Sequence, residues 1–584
     1  MVSTSTPRAT DTTESIDITL VPPTIATSIN GDAAEASNHA PEILAQPGQQ
    51  RSKFKMFSIM TALFSATFIS ALNTTIVATA IPTICADLDS AVGYSWVGAA
   101  YVIATTAVGP VWTKFSDIWG RKPILLTAVA LYFASSMICA LSTSMGMLIV
   151  ARALQGVSGG GVGSLINVVI SDMFSMRTRP LFLGLLQVTW AVAGGIGPVL
   201  GGAFTQYLSW RWIFWINLPV CGVAFGLLLL FLDVHDPKTR FVDGIKAVDW
   251  AGSFSLIGLM VMVLLGLNFG GATFPWDSPK VLCLIAFGIL VAIFFLFNEA
   301  RLAQHPVMPL GVFRQRSNAA CLIIGFIQHF VLNAAEYYLP LYFQSAKEAS
   351  PLYSGVLLLP LIMIEAAAAT ASGIFIHRLG RYLDLIWLGV LFMTLGNGLY
   401  VYLGATTSIG SIAAFQLVAG FGIGLLFDPP LIALQALVSQ DDTATATATL
   451  GSMRGLGVAL SIIIGGVIFQ NGIQLQSSSL RAHGLSADLV EELAGPNAAT
   501  KINLINTISD PAQKLAVKQA FAWSLRNLWI TCTGMAAIAV VASSLITKKE
   551  LAREHVETQT GIRKEKQNAG SDAANRDDAQ EIRA

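Results

Sequence analysis

A chain of 584 residues that is 54 % apolar without counting its 51 glycines, and only 12 % charged, is richer in lipid-compatible side chains than soluble domains, which hold roughly 45–50 % apolar residues with glycine included. Its 35 basic and 35 acidic residues cancel, and its 6 cysteines are scattered without CxxC spacing, so charge-driven nucleic-acid binding, a disulfide framework and a thiolate metal site are all excluded. The composition reads as an all-α polytopic membrane protein.

Residues 1–54 are rich in Ser, Thr, Ala and Pro and lack an apolar h-region. They form neither a signal peptide nor a packed domain and are expected to be a disordered cytosolic tail. Arg51, Lys53 and Lys55 precede the first apolar run, which keeps the N-terminus on the cytosolic side. Fourteen hydrophobic stretches of membrane-crossing length then follow. They cover about 57–81, 95–114, 124–142, 147–170, 181–203, 212–233, 250–269, 280–298, 318–343, 353–375, 383–404, 409–435, 445–470 and 524–546. The even number returns the C-terminus to the cytosol, where residues 547–584 read as a second solvated tail. A long outer segment, 471–523, separates the last two stretches.

Loop charge tests this orientation independently. The loops assigned to the cytosol carry Arg121, Lys122, Arg177, Arg179, Lys238, Arg240, Lys246, Arg301, Arg314, Arg316, Arg378 and Arg381, against Arg211, Lys280 and Lys347 in the short outer loops. That asymmetry is the positive-inside pattern. A repeat is also visible: GIFIHRLGRY (Gly373 to Tyr382) follows the tenth stretch as TKFSDIWGRK (Thr113 to Lys122) follows the second. It divides the chain into a six-helix bundle over 55–233, a linker with two additional helices over 234–317, and a second six-helix bundle over 318–546. Such repeats build secondary transporters, with the substrate site between the halves.

The segment VWTKFSDIWGRKP (Val111 to Pro123) sets charge and glycine between two apolar runs. Gly120 permits a tight turn, and Asp117 and Arg121 can pair four residues apart, with Lys122 beside them. Thr113 to Lys122 resembles the G-x-L-x-D-x-x-G-R-K signature of the major facilitator superfamily, with Thr113 in place of the first glycine. Leu148 to Asp172 resembles the family's fourth-helix arginine motif, and Ala191 to Gly202 its antiporter motif, through Gly197, Pro198, Gly201 and Gly202. Leu72 to Pro82 and Ser209 to Pro219 resemble segments of the fourteen-helix drug:proton antiporter branch, which includes fungal multidrug and toxin efflux pumps. The resemblance implies that Asp117 latches the inner face against a helix beginning near Thr443, where threonine makes a good N-cap. His377 replaces this acid in the second copy, so the latch is expected to be asymmetric. Close packing of small residues explains the glycine-proline run equally well.

Ionisable groups inside a bilayer cost several kcal/mol unless they are paired or wet, and five stand out: Arg152, Glu336, Glu365, Asp428 and Arg454. The resemblance implies an acidic partner for Arg152 on the first helix, but Asn73 stands there, so Glu336 is the expected partner. Asp428 and Arg454 are expected to pair. Glu365, near mid-membrane and without an evident cation, is the first candidate for proton coupling, ahead of Asp428 and Glu336. Asn73, Gln187, Trp190, Gln328, Asn333 and Tyr337 are candidate cavity residues in a largely apolar pocket. An interhelical hydrogen bond by Glu365, or simple packing by the cavity candidates, explains these residues too.

The expected function is proton-coupled export of amphipathic small molecules by a monomer in the lipid bilayer. A proton gradient takes the place of any cofactor, and the plasma membrane is favoured over a vacuolar or vesicle membrane. An importer of siderophore-type substrates and a non-transporting receptor on the same fold stay open as alternatives. The seven dispersed histidines and the lack of a Ser/His/Asp cluster or metal-ligand spacing argue against an enzyme.

Overall fold

The computed structural model describes residues 52–552 except 78, 91–92, 236, 238, 271–273, 304–305, 309, 441, 496–497 and 499–500. The expected tails therefore lie almost wholly outside the described residues.

Lipid offers the backbone no hydrogen-bond partner, so each apolar stretch closes its own ladder as a helix. The first half contains α1 (Lys53–Thr75), α2 (Gly93–Trp119), α3 (Arg121–Ala140), α4 (Met145–Met173), α5 (Arg179–Tyr207) and α6 (Asn217–Phe231). Next come α7 (Trp250–Phe269) and α8 (Pro279–Phe297). The second half contains α9 (Arg316–Ala346), α10 (Pro351–Leu379), α11 (Leu383–Tyr400), α12 (Ile409–Leu425, resuming as Pro429–Leu437), α13 (Thr443–Leu475) and α14 (Pro511–Ser543). Ser144, Asp249, Ser350, Ser408 and Asp510 accept from backbone N–H groups in the first turns of α4, α7, α10, α12 and α14, satisfying donors that a helix start otherwise leaves open.

Thirteen helices among the described residues are long and apolar enough to cross a membrane. The remaining expected crossing is α2, which has the length at 27 residues but spends part of it on Ser, Thr, Lys and Asp side chains. Both repeat glycines sit in turns that need a left-handed residue, Gly120 at φ 96° and Gly380 at φ 71°, a conformation costly for any side chain with a Cβ.

In the first half α4 packs on α2 and α3, and α1 on α5 and α6. In the second, α9 packs on α13 and α14, α12 on α10 and α11, and α11 on α14. The halves meet along two seams, α5 against α10 and α2 against α13. Small residues permit the approach: a Cβ on Gly373 would lie 2.3 Å from the Pro180 carbonyl oxygen, and one on Gly455 2.5 Å from Thr106 Cγ2.

The outer segment is shorter and more ordered than hydropathy suggests. α13 continues to Leu475 and α14 starts at Pro511, because the first turns of α14 carry Lys514 and Lys518, which pair with Glu348 at 2.7 and 2.8 Å. Between them the chain forms Ser477–Ala482, Ala487–Ala494 and Ile502–Thr507. Leu480, Val490, Leu493 and Ile505 from these pieces join the main apolar core.

Candidate functional site

The charged turn between α2 and α3 is a closed ion network. Arg121, only 2 % exposed, donates to the Asp117 carboxylate one helical turn away, to Ser116 Oγ at 2.7 Å and through Nε to Asp172 at 2.7 Å. Asp172 ends α4, so the turn is tied to a second helix, and Lys122 lies half-buried beside it. The N-cap of α13 is Asp442 and not Thr443; Thr443 is the first helical residue and donates its hydroxyl to the Ser439 carbonyl at 3.1 Å. Asp442 holds the position without capping an N–H by its side chain; its carboxylate instead accepts from Ser439 Oγ at 2.7 Å.

The second copy of the turn engages the first half by another route. Arg177 Nε donates to the His377 carbonyl at 2.7 Å and its Nη2 to the Arg378 carbonyl, while His377 Nδ1 meets the Arg177 carbonyl at 3.2 Å. Arg381 pairs with Asp384 near the surface. Arg179, read from sequence only as a loop charge, is 2 % exposed and donates to Gln435 Oε1 at 2.6 Å and to the Ser171 and Phe174 carbonyls. Gln435 Nε2 in turn donates to Ser171 Oγ at 2.9 Å and Thr447 Oγ1 at 2.8 Å. A primary amide inside the apolar run of α12 was the sequence signal for this contact.

Arg152 corrects an expectation. It is 1 % exposed and donates to the Val97 carbonyl at 3.0 Å, Gln155 Oε1 at 2.6 Å and Asn73 Oδ1 at 3.4 Å, with its guanidinium 4.4 Å from the Tyr101 ring centroid. The cation is met by dipoles and a π face inside the first bundle, and Glu336 of α9 is not its partner. Asn73, fully buried in this network, is thereby removed from the cavity candidates.

The other candidates divide. Trp190 and Tyr337 are exposed, at 45 % and 54 %, and Gln187 is half-buried. Gln328 is fully buried, its amide 3.4 Å from the Ile423 carbonyl of α12, and does not line a cavity. Asn333 ties α9 to α13, donating to Ser461 Oγ at 2.8 Å and the Val458 carbonyl at 3.3 Å. In the glycine-proline run a Cβ on Gly197 would lie 2.0 Å from Thr75 Oγ1, and one on Gly201 2.3 Å from the Ile76 carbonyl oxygen. These two glycines therefore let α5 pack onto α1. Gly202 faces open space, and α5 runs through Pro198 without a break.

Two groups of polar side chains lie within the second bundle. Glu365 Oε2 is buried without a hydrogen-bond partner, and so is the Tyr400 hydroxyl. Glu365 is within Coulombic reach of both Glu336 and Tyr400. Lower down, Asp428 is buried with Oδ2 unpartnered, while Arg454 donates to the Phe427 carbonyl. Asp428 and Arg454 are charge neighbours, but the expected direct ion pair does not form: Arg454 Nη2 donates to the Phe427 carbonyl, while Arg454 Nε and Asp428 Oδ2 are both left without a partner. A Cβ on Gly184 of α5 would stand 3.6 Å from Asp428 Oδ2, which places this acid at the seam between halves. His329, an intramembrane histidine that sequence reasoning passed over, stacks edge-on against Phe427 at 5.5 Å with Nδ1 unpartnered.

Among the described residues no cluster of His, Cys, Asp and Glu could hold a metal ion. What the arrangement can do is hold charge and protons on separate helices and seal one end of the interface between two bundles.

Comparison with known proteins agrees with this architecture. Residues 63–462 match the Major Facilitator Superfamily profile. The chain is 43 % identical over 508 residues to the efflux pump dotC of Dothistroma septosporum (strain NZE10 / CBS 128990), covering 87 % of each chain. It is 42 % identical over 531 residues to the MFS-type transporter ppz2 of Metarhizium majus, covering 91 % of this chain and 90 % of the relative. It is 33 % identical over 529 residues to the efflux pump FUS6 of Gibberella fujikuroi, covering 90 % and 95 %. The crystal structure of the human organic anion transporter MFSD10 (TETRAN) is similar at a TM-score of 0.53, 15 % identity and coverage of 82 % and 99 %; at that identity the likeness concerns the fold alone.

Proposed function

Because this chain belongs to the major facilitator superfamily, and is thus a membrane transporter and not an enzyme, we propose that it exports a small organic molecule, a secondary metabolite or toxin, by proton-coupled alternating access. Relatives carrying the name efflux pump over nearly their whole length support the direction and the substrate class. With the loop charges facing the cytosol, the contacts of Arg177, Arg179 and Gln435 tie the two halves together at the inner end, as an outward-facing state requires. Rocking 55–233 against 318–546 about the two seams would then open the inner side.

The observation that carries proton coupling is Glu365, whose Oε2 is buried and unpartnered in mid-bundle beside a second carboxylate, Glu336. A carboxylate held inside the bundle, within electrostatic reach of a second, can carry a proton loaded from the outer side and released when the bundle rearranges. Asp428, at the α5 seam, is the second carrier in this scheme. The substrate meets Trp190, Gln187 and Tyr337 in a mainly apolar cavity. The plasma membrane is the proposed location.

The test is reconstitution in proteoliposomes with an imposed pH gradient and a panel of amphipathic compounds. Uptake driven by the gradient and abolished by a protonophore supports the reading; flux indifferent to the protonophore refutes coupling. Glu365→Gln should remove the pH dependence of export, and full retention of that dependence would move the proton elsewhere.

A further inference from the structure

The two additional helices form a hairpin, with α8 packed on α7, and α7 lies beside both α2 and α13, so the hairpin could travel with either half. Its buried apolar residues favour α2. Ala107 and Val108 of α2 form one buried cluster with Leu256 and Met260 of α7, Phe295 of α8, and Val307 and Met308, while Leu456 of α13 is only partly buried at its edge. Aromatic pairs fasten both ends of α2: Trp96 meets Phe269 at 5.6 Å at one end, and Phe115 meets Trp250 at 6.2 Å at the other. Trp119 stacks on Phe241 of the linker at 5.9 Å, and a Cβ on Gly244 would stand 2.3 Å from its indole nitrogen.

The hairpin is braced within itself: Asp249 accepts from Gly252 N–H at 2.8 Å and Asn298 Nδ2 at 2.8 Å, and Glu299 accepts from the Val307 N–H at 3.1 Å. It can therefore move as one body.

We infer that the α7–α8 hairpin is a fixed part of the first half, bound to α2 by aromatic clamps at both ends. The hairpin thus slides over α13 while remaining rigid against α2. This rests on the alternating-access reading above.

The experiment compares two reversible cross-links in a background with the native cysteines replaced. Trp96→Cys with Phe269→Cys joins the hairpin to α2; Thr106→Cys with Gly455→Cys joins the two halves. The first, once closed, should leave transport within about twofold of the reduced protein, and the second should lower it at least roughly tenfold until a reductant is added, because only the second spans a moving seam. Arrest by the hairpin link as complete as arrest by the inter-half link overturns the inference. If neither link affects flux, alternating access itself fails, a distinguishable result.

Discussion

Replacing Gln435 by leucine should unlatch the inner face. Its side chain makes two contacts across the seam, accepting from Arg179 at 2.6 Å and donating to Ser171 Oγ at 2.9 Å, while its bond to Thr447 stays within the second half. A hydrogen bond to a charged group contributes about 1.5–3 kcal/mol and a neutral one about 0.5–1.5 kcal/mol. Gln435→Leu therefore removes about 2–4.5 kcal/mol from the closed inner face, which at about 1.4 kcal/mol per tenfold shifts the equilibrium roughly 30- to 1,600-fold toward opening. Arg179 keeps the Ser171 and Phe174 carbonyls of its own half, so the fold should survive. The assay is maleimide labelling of Thr370→Cys, a half-buried position whose hydroxyl donates to the Gly184 carbonyl at 3.3 Å across the seam. Labelling from the inner side should accelerate by at least roughly tenfold, a floor below the estimate that allows for partial opening in the parent. Gln435→Glu, which keeps the acceptor for Arg179, should stay near the parent. Equal labelling in Gln435→Leu and the parent would refute the latch.

The glycine motif offers a contrast within a few residues. Gly201→Val forces a Cβ to 2.3 Å from the Ile76 carbonyl oxygen, and overpacking of this kind costs about 1–3 kcal/mol, so melting in detergent should fall; Gly202→Ala, facing open space, should leave melting and flux unchanged. On the outer face Lys514 and Lys518, through their hydrogen bonds and charge, hold the Glu348 carboxyl below its ordinary value. A depressed carboxyl contributes stability that is present above the unfolded value, about 4.3, and is lost as pH falls through the folded one. The melting difference between Glu348→Gln and the parent should therefore exist at neutral pH and fade as pH falls through the depressed value. Asn73→Asp would set a carboxylate beside Arg152, where Asn73 Oδ1 now stands 3.4 Å away; the new pair should make flux respond to pH in an Glu365→Gln background, and an unresponsive double variant would confine coupling to the second half.

Much of the helical frame was legible because lipid imposes a simple rule: apolar runs of the right length become helices. The turn at Gly120 and its partner at Gly380 were legible for the same local reason, a glycine flanked by charge. Partnership was not. Gln155 sits three residues from Arg152 on the same helix and was within reach of a linear reading, but Asn73 and the tyrosine face come from other helices whose rotation hydropathy leaves free, so nothing there ruled Glu336 out. Arg179 read as a loop charge until α12 supplied Gln435. Asn73 and Gln328 looked like cavity residues because polarity in an apolar run marks an inward face, and inward within a bundle is a different direction from inward between bundles. The start of α14 was placed too late since its first turns answer to Glu348 across the outer surface, not to lipid.

Arg152 also has an electrical consequence. Its partners are dipoles and a ring, so no carboxylate among them neutralises the guanidinium, and a positive charge lies within the membrane field. Each elementary charge carried fully across a potential of 100 mV exchanges about 2.3 kcal/mol, and even a fractional displacement as the first half tilts contributes in proportion. Turnover should therefore depend on membrane voltage even for an uncharged substrate and with the pH gradient set to zero.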